Sequence, residues 1–340
     1  MKRIILSLTI SFAVTMVGQS FANNFSAHTV PTKVKLNETD TVINSLPVNY
    51  LKDLEFVPPS QKIDIRSYKE VLELFETLNY TPKAWQEGIR EVPRVYFTRI
   101  GERWGSTTTK EITVKYKKQI FFRGIAPLIL LSNEMILKDR NRLEIIKLSF
   151  SKNSNLSEPD KNWAFKLAEL YKVKTEGNQV TETTIEELWK RVDIIPPSLA
   201  MSQAAVESGW GTSRFAASGN ALYGQWTWGK KAMIPEEQRK GLGNYGIAAF
   251  ESLLESVCAY MLNLNTHNAY SKLRDKRAEF SKNGEQIKGY VLAEQLDKYS
   301  ERGETYVKEL QSLMNYNHLN PVDDAFLSDS PPVYLIPVQD

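Results

Sequence analysis

Apolar residues recur every three or four positions along most of this chain, the period of a helix with one buried face. Val71, Leu74, Phe75 and Leu78 give the first clear case, opening at Ser67 and stopped by Tyr80-Thr81-Pro82. The longest runs from Val114 to Leu148 through Ile120, Phe121, Ile125, Leu128, Leu131, Met135, Leu143 and Ile146. It predicts a long helix, kinked or divided near Gly124–Pro127. Its apolar positions read as core, and Lys110, Lys115, Lys117, Lys118 and Arg123 as a solvated side that can also meet acidic polymers.

A Ser/Asn-rich break at 151–159 precedes a short helix through Trp163, Leu167 and Leu170. After a loop at 175–181, Thr184 starts another helix with Ile185, Leu188, Trp189 and Val192. Pro196-Pro197 ends it and opens the next, with Ser198 as a capping residue. That next helix runs to a terminator at Gly209, so Glu207 falls in its last turn. A brief helix follows from Thr212 or Ser213, ended by Gly219 and Asn220.

The pattern then changes. Asn220 to Gly229 is aromatic and glycine-bounded, and 230–246 is rich in glycine and charge, which predicts a small hairpin lobe. Helical spacing returns at Ser252 to Asn265, from Asn268-Ala269-Tyr270 to Phe280, at Gln286 to Leu296, and after a turn at 299–303 up to Tyr316. Residues 23–62 carry prolines and no period and read as an arm or linker. Residues 321–340, with four prolines and no period, read as a tail. The fold expected is mainly α: a helical region over 63–180, then a helical domain with a small β lobe over 181–320.

Composition narrows the function. Met1-Lys2-Arg3, the apolar run Ile4 to Val17 and Ser20-Phe21-Ala22 have the form of a secretory signal removed after residue 22. The run is too short for a comfortable membrane span, so the mature chain is expected to be exported, to the periplasm or cell envelope, without a stable span. Loss of Lys2 and Arg3 leaves 41 basic against 40 acidic residues, a balance that does not point to nucleic acid. The single cysteine, Cys258, cannot form an internal disulfide, and His28, His267 and His318 lack ligand spacing, so neither a metal nor a cofactor is implied.

The chemistry concentrates in Leu199 to Gly211. Ala200, Ala204, Glu207 and Gly211 share one helical stripe, small residues plus a single carboxyl. Partial burial and the negative end of the helix both raise a carboxyl pKa, which suits a general acid. A solvated glutamate in a final turn is the plain alternative.

The run Ala204-Ala205-Val206-Glu207-Ser208-Gly209-Trp210-Gly211, then Ser213, then Asn220-Ala221-Leu222-Tyr223-Gly224, resembles the core motif of bacterial peptidoglycan β-N-acetylglucosaminidases. The likeness is closest to the Bax-type branch and covers roughly residues 181–320. It implies a lysozyme-like α+β catalytic domain acting on the glycan strands of peptidoglycan, with Glu207 as acid. Tyr270 matches in position a tyrosine that the family keeps after its cleft helix, although the flanking residues Asn265-Thr266-His267-Asn268 depart from the commoner pattern.

Sugar recognition needs aromatic faces plus amide and hydroxyl groups. Trp210, Tyr223, Trp226 and Trp228 supply the first, Ser208, Asn220 and Gln225 the second, and Gly224 allows close backbone approach or merely permits a turn. Trp210 is also placed to pack beneath Glu207, and Tyr223 and Trp226 are expected to share its groove. A second carboxylate, if one is used, comes from Glu236, Glu237 or Glu301. A substrate-assisted route through the sugar's own N-acetyl group needs none. A lytic transglycosylase or muramidase of the same fold, and a wall-binding scaffold without catalysis, are the rival readings.

Overall fold

The computed structural model describes residues 61–338 apart from 154–155, 178, 230–231 and 237–244. The expected signal segment, most of the arm and Glu237 lie outside the described residues. The architecture is mainly α with a small β lobe, and one continuous hydrophobic core runs from Ile65 to Leu335.

Strand β1 (Gln61–Ile65) leads into α1 (Tyr68–Thr77), whose first turn is capped by Ser67 accepting from the Glu70 N–H. Strands β2 (Glu91–Val92) and β3 (Val95–Phe97) follow. Helix α2 (Val114–Asn153) comes next and is continuous through Pro127. The division expected at Gly124–Pro127 is absent. Proline in a helix interior costs about 3 kcal/mol, whereas fully burying a large apolar side chain returns roughly 1.5–3 kcal/mol. Ile125, Leu128, Ile129, Leu130 and Leu131 are all buried around the proline, so packing outweighs the local penalty. By length and composition α2 could cross a membrane, but 78% of its most apolar window is buried inside the protein. It is the central beam of the core.

Helices α3 (Glu158–Leu170) and α4 (Glu182–Arg191) pack along that beam. Then come α5 (Pro197–Ser208) and α6 (Arg214–Gly219). The β lobe is a three-stranded antiparallel sheet of β4 (Trp226–Thr227), β5 (Ala232–Met233) and β6 (Gly246–Ala248), with β6 in the middle. Helices α7 (Leu253–Thr266), α8 (Ser271–Asn283) and α9 (Glu304–Tyr316) complete the helical part.

The last residues are not a tail. Strand β7 (Phe326–Leu327) pairs with β2, and β8 (Val333–Pro337) runs parallel between β1 and β3. Prolines at strand ends suited the segment to short pieces of sheet, and its partners lie more than 200 residues away, beyond any local pattern. On the way, Asp323 accepts from the Ser198 N–H at 2.8 Å and its hydroxyl at 2.9 Å. Ser198 therefore does not cap α5 as expected; Pro196 is the capping position, and a carboxylate from the C-terminal segment satisfies the helix start.

Two arginines secure the joint between α4 and α5. Arg277 is fully buried and donates to the carbonyls of Lys190, Arg191, Asp193 and Ile194 and to Asn265 Oδ1. Arg140 donates to the carbonyls of Trp189 and Val192 and pairs with Asp193 at 3.3 Å.

Candidate active site

Helix α5 is buried on nearly every side, and its small residues Ala200, Ala204 and Ala205 let neighbouring helices approach closely. Its end is unusual: Gly209, Trp210 and Gly211 all have left-handed backbones, with φ of 57°, 63° and 74°. Glycine takes this conformation freely, but for tryptophan it is strained. Trp104 holds the turn by donating from Nε1 to the Trp210 carbonyl at 2.9 Å. Ser208 holds it from the other side, donating to the Ala204 carbonyl and accepting from the Gly211 N–H at 2.8 Å.

Glu207 sits in the last turn before this knot. The residue is half-buried, with its carboxyl at the closed end, where Tyr306 on α9 donates to Oε1 at 2.9 Å. A chain of donors stands behind that bond. Tyr260 donates to Gln203 Oε1 at 2.6 Å, and Gln203 Nε2 donates to the Tyr306 oxygen at 2.9 Å. The Tyr306 proton is thereby directed at Glu207. With Oε1 engaged as an acceptor, the proton of the neutral carboxyl belongs on Oε2.

Burial pushes the Glu207 carboxyl from 4.5 up to about 8, against the Tyr306 hydrogen bond and the Arg302 cation, which pull it down. Arg302 is itself paired with Glu309 at 2.6 Å. Desolvation thus favours the neutral carboxyl, the form that a general acid requires. Oε2 faces Gly224, where an added Cβ would lie 3.7 Å away. Gly224 has φ +59°, so Gly224→Ala is expected to cost about 1–2 kcal/mol of stability. Urea denaturation checks this, and an unchanged midpoint would contradict it.

The other expected site residues separate into two groups. Tyr270 is buried near Glu207: burial chiefly, then the Glu207 charge, raises its phenol. Trp226 is half-buried, stacked on Tyr245 at 4.4 Å between ring centroids and edge-on to Trp228 at 6.5 Å. Tyr270 and Gly224 stand beside Glu207. Ser208, Asn220 and Tyr223 have structural partners of their own. Ser208 spends its hydroxyl on the helix end, and Asn220 donates to the Phe250 carbonyl at 3.0 Å. Tyr223 is 1% exposed and stacked on Tyr260 at 3.7 Å, so it lines no groove. Trp210 packs edge-to-face on Phe121 and Phe122 of α2 rather than beneath Glu207. Glu236 is exposed, with its side chain 85% accessible, and lies 3.8 Å from Arg214. Glu301 is exposed as well.

With this geometry in hand, the comparisons become informative. The Glucosaminidase family, described as mannosyl-glycoprotein endo-beta-N-acetylglucosaminidase, matches residues 182–319, from α4 to just past α9. Protein bax of Escherichia coli (strain K12) is 34% identical over 202 residues, covering 59% of this chain and 70% of that protein. The chain belongs to the Bax-type glucosaminidase family. No solved structure matches it. The Bax-type chain thus carries a lysozyme-like domain of the peptidoglycan-hydrolase kind. Its site also uses residues that sequence reasoning did not single out: Tyr306, Tyr260, Arg302 and Glu309. Gln203 offered a signal, a polar residue on the otherwise apolar stripe of Leu199, Val206 and Trp210.

Proposed function

We propose that this Bax-type protein is an exported peptidoglycan hydrolase that cleaves the β-1,4 bond after N-acetylglucosamine, with Glu207 as general acid. One observation carries the reading: a carboxyl at the end of α5, held by Tyr306 on one oxygen and bordered by Gly224 on the other, in surroundings whose desolvation favours its neutral form. Proton donation from Oε2 to the leaving oxygen breaks the glycosidic bond as positive charge develops at the anomeric carbon.

The second function falls to the substrate's own N-acetyl oxygen, which bonds to that carbon as the leaving oxygen departs; water, giving its proton to the Glu207 carboxylate, then opens the ring so formed and leaves its hydroxyl on the anomeric carbon. Glu309, a carboxylate that acts on Glu207, is engaged by Arg302, and this route needs no second acid. Tyr270 supports the site from its closed side as a neutral phenol, and Trp226 and Trp228 form the sugar-facing wall. Export rests on the signal-like residues 1–22.

Reducing-end analysis of digested wall tests the assignment. New N-acetylglucosamine ends are expected. Anhydro-muramic ends would make the protein a lytic transglycosylase, and muramic ends a muramidase.

A further inference from the structure

Where the start of α2 meets the end of α9, the fold holds a cation with no counter-charge among the described residues. Lys118 Nζ lies 4.5 Å from the ring centroid of Tyr316 and 5.1 Å from that of Trp210, and donates to Asn317 Oδ1 at 3.0 Å. Neither Lys117 nor Lys118 makes an ion pair among the described residues. Desolvation alone lowers both ammonium groups from their ordinary value. A partly desolvated ammonium without an anion is a standing cost to the fold, recovered when an anion arrives from outside. Tyr316 is 77% exposed, so open ring surface flanks the charge.

The patch borders the proposed site. Trp210 follows Glu207 by three residues, and Tyr316 shares α9 with Tyr306, the residue that holds Glu207. The ten residues between them span roughly 15 Å of helix. Peptidoglycan strands carry short peptides with free carboxylates on alternate sugars, and an extended peptide covers roughly 3.5 Å per residue. A peptide of about four residues bridges that distance. We infer that Lys118, flanked by Tyr316 and Trp210, is a specificity-determining subsite for a stem-peptide carboxylate of peptidoglycan, contributed by a helix outside residues 182–319. This rests on the peptidoglycan reading above.

Co-sedimentation with insoluble wall tests it, using Glu207→Gln as the parent so that digestion does not intervene. Two walls are compared, one intact and one stripped of peptides by an amidase. Adding Lys118→Met is expected to weaken binding to intact wall about tenfold, the loss of one charge-assisted hydrogen bond, and to leave the two proteins indistinguishable on stripped glycan. Lys118→Arg, which keeps the charge, should retain most of the binding to intact wall. Equal weakening on both walls, or undiminished binding of the methionine variant to intact wall, overturns the subsite. Failure of the wild type to cleave wall would instead sink the hydrolase reading and leave this binding comparison intact.

Discussion

Glu207→Gln is expected to lower activity on purified peptidoglycan by roughly 10²–10⁴ while leaving the fold intact. Glutamine keeps the size of the side chain, and its amide oxygen can still accept from Tyr306, but it has no proton to deliver. The same substitution carries a stability signature of opposite sign. The folded carboxyl titrates at about 8 against an ordinary 4.5, so between those values the native state binds more protons than the unfolded chain. Stability of the wild type therefore falls as pH rises through that window. Glutamine removes the cost, and the variant's thermal midpoint should gain on the wild type from pH 4.5 to 8. Activity retained in full by Glu207→Gln would remove the acid from the mechanism.

The largest stability effect is expected at Arg277. Arg277→Met should destabilise the protein by about 3–5 kcal/mol, the range for breaking a buried charged network by deleting one partner. Methionine fills much of the volume but leaves four backbone carbonyls at the end of α4 without this donor and Asp193 with Arg140 alone. Those carbonyls belong to the segment that turns into α5, so activity should fall along with stability. Chemical denaturation gives the number, and a loss under about 1 kcal/mol would show that water or neighbouring donors substitute readily.

What could be read from the sequence was mostly local. Ser67, Ser213 and Ser252 cap helices where their positions implied, and Gly209 ends α5 in a left-handed turn. Each depends on neighbours within a few residues. The errors came where a residue answers to something distant. Pro127 predicts a kink or a break by its own geometry, and the core packed around it keeps α2 undivided. The C-terminal prolines look like a tail until β1 and β3 supply partners. Within the site, Glu207 was legible from its stripe of small residues. Its pairing with Tyr306 spans 99 positions and that of Gln203 with Tyr306 spans 103, so periodicity carries no trace of them. The structural partners of Ser208, Asn220 and Tyr223 were hidden for a related reason. These three side chains have the chemistry to bind sugar, and the turn after α5, the β lobe and the Tyr260 ring engage them.

The central claim is that Glu207 stands protonated at neutral pH, ready to act as an acid. Carbon-detected NMR titration of its labelled carboxyl, read against the Glu207→Gln spectrum to assign the resonance, measures that state directly. The account predicts a transition near pH 8, well above the ordinary glutamate range. A transition at or below 4.5 would mean that Glu207 is an anion at neutral pH, and the general-acid assignment would fall with it.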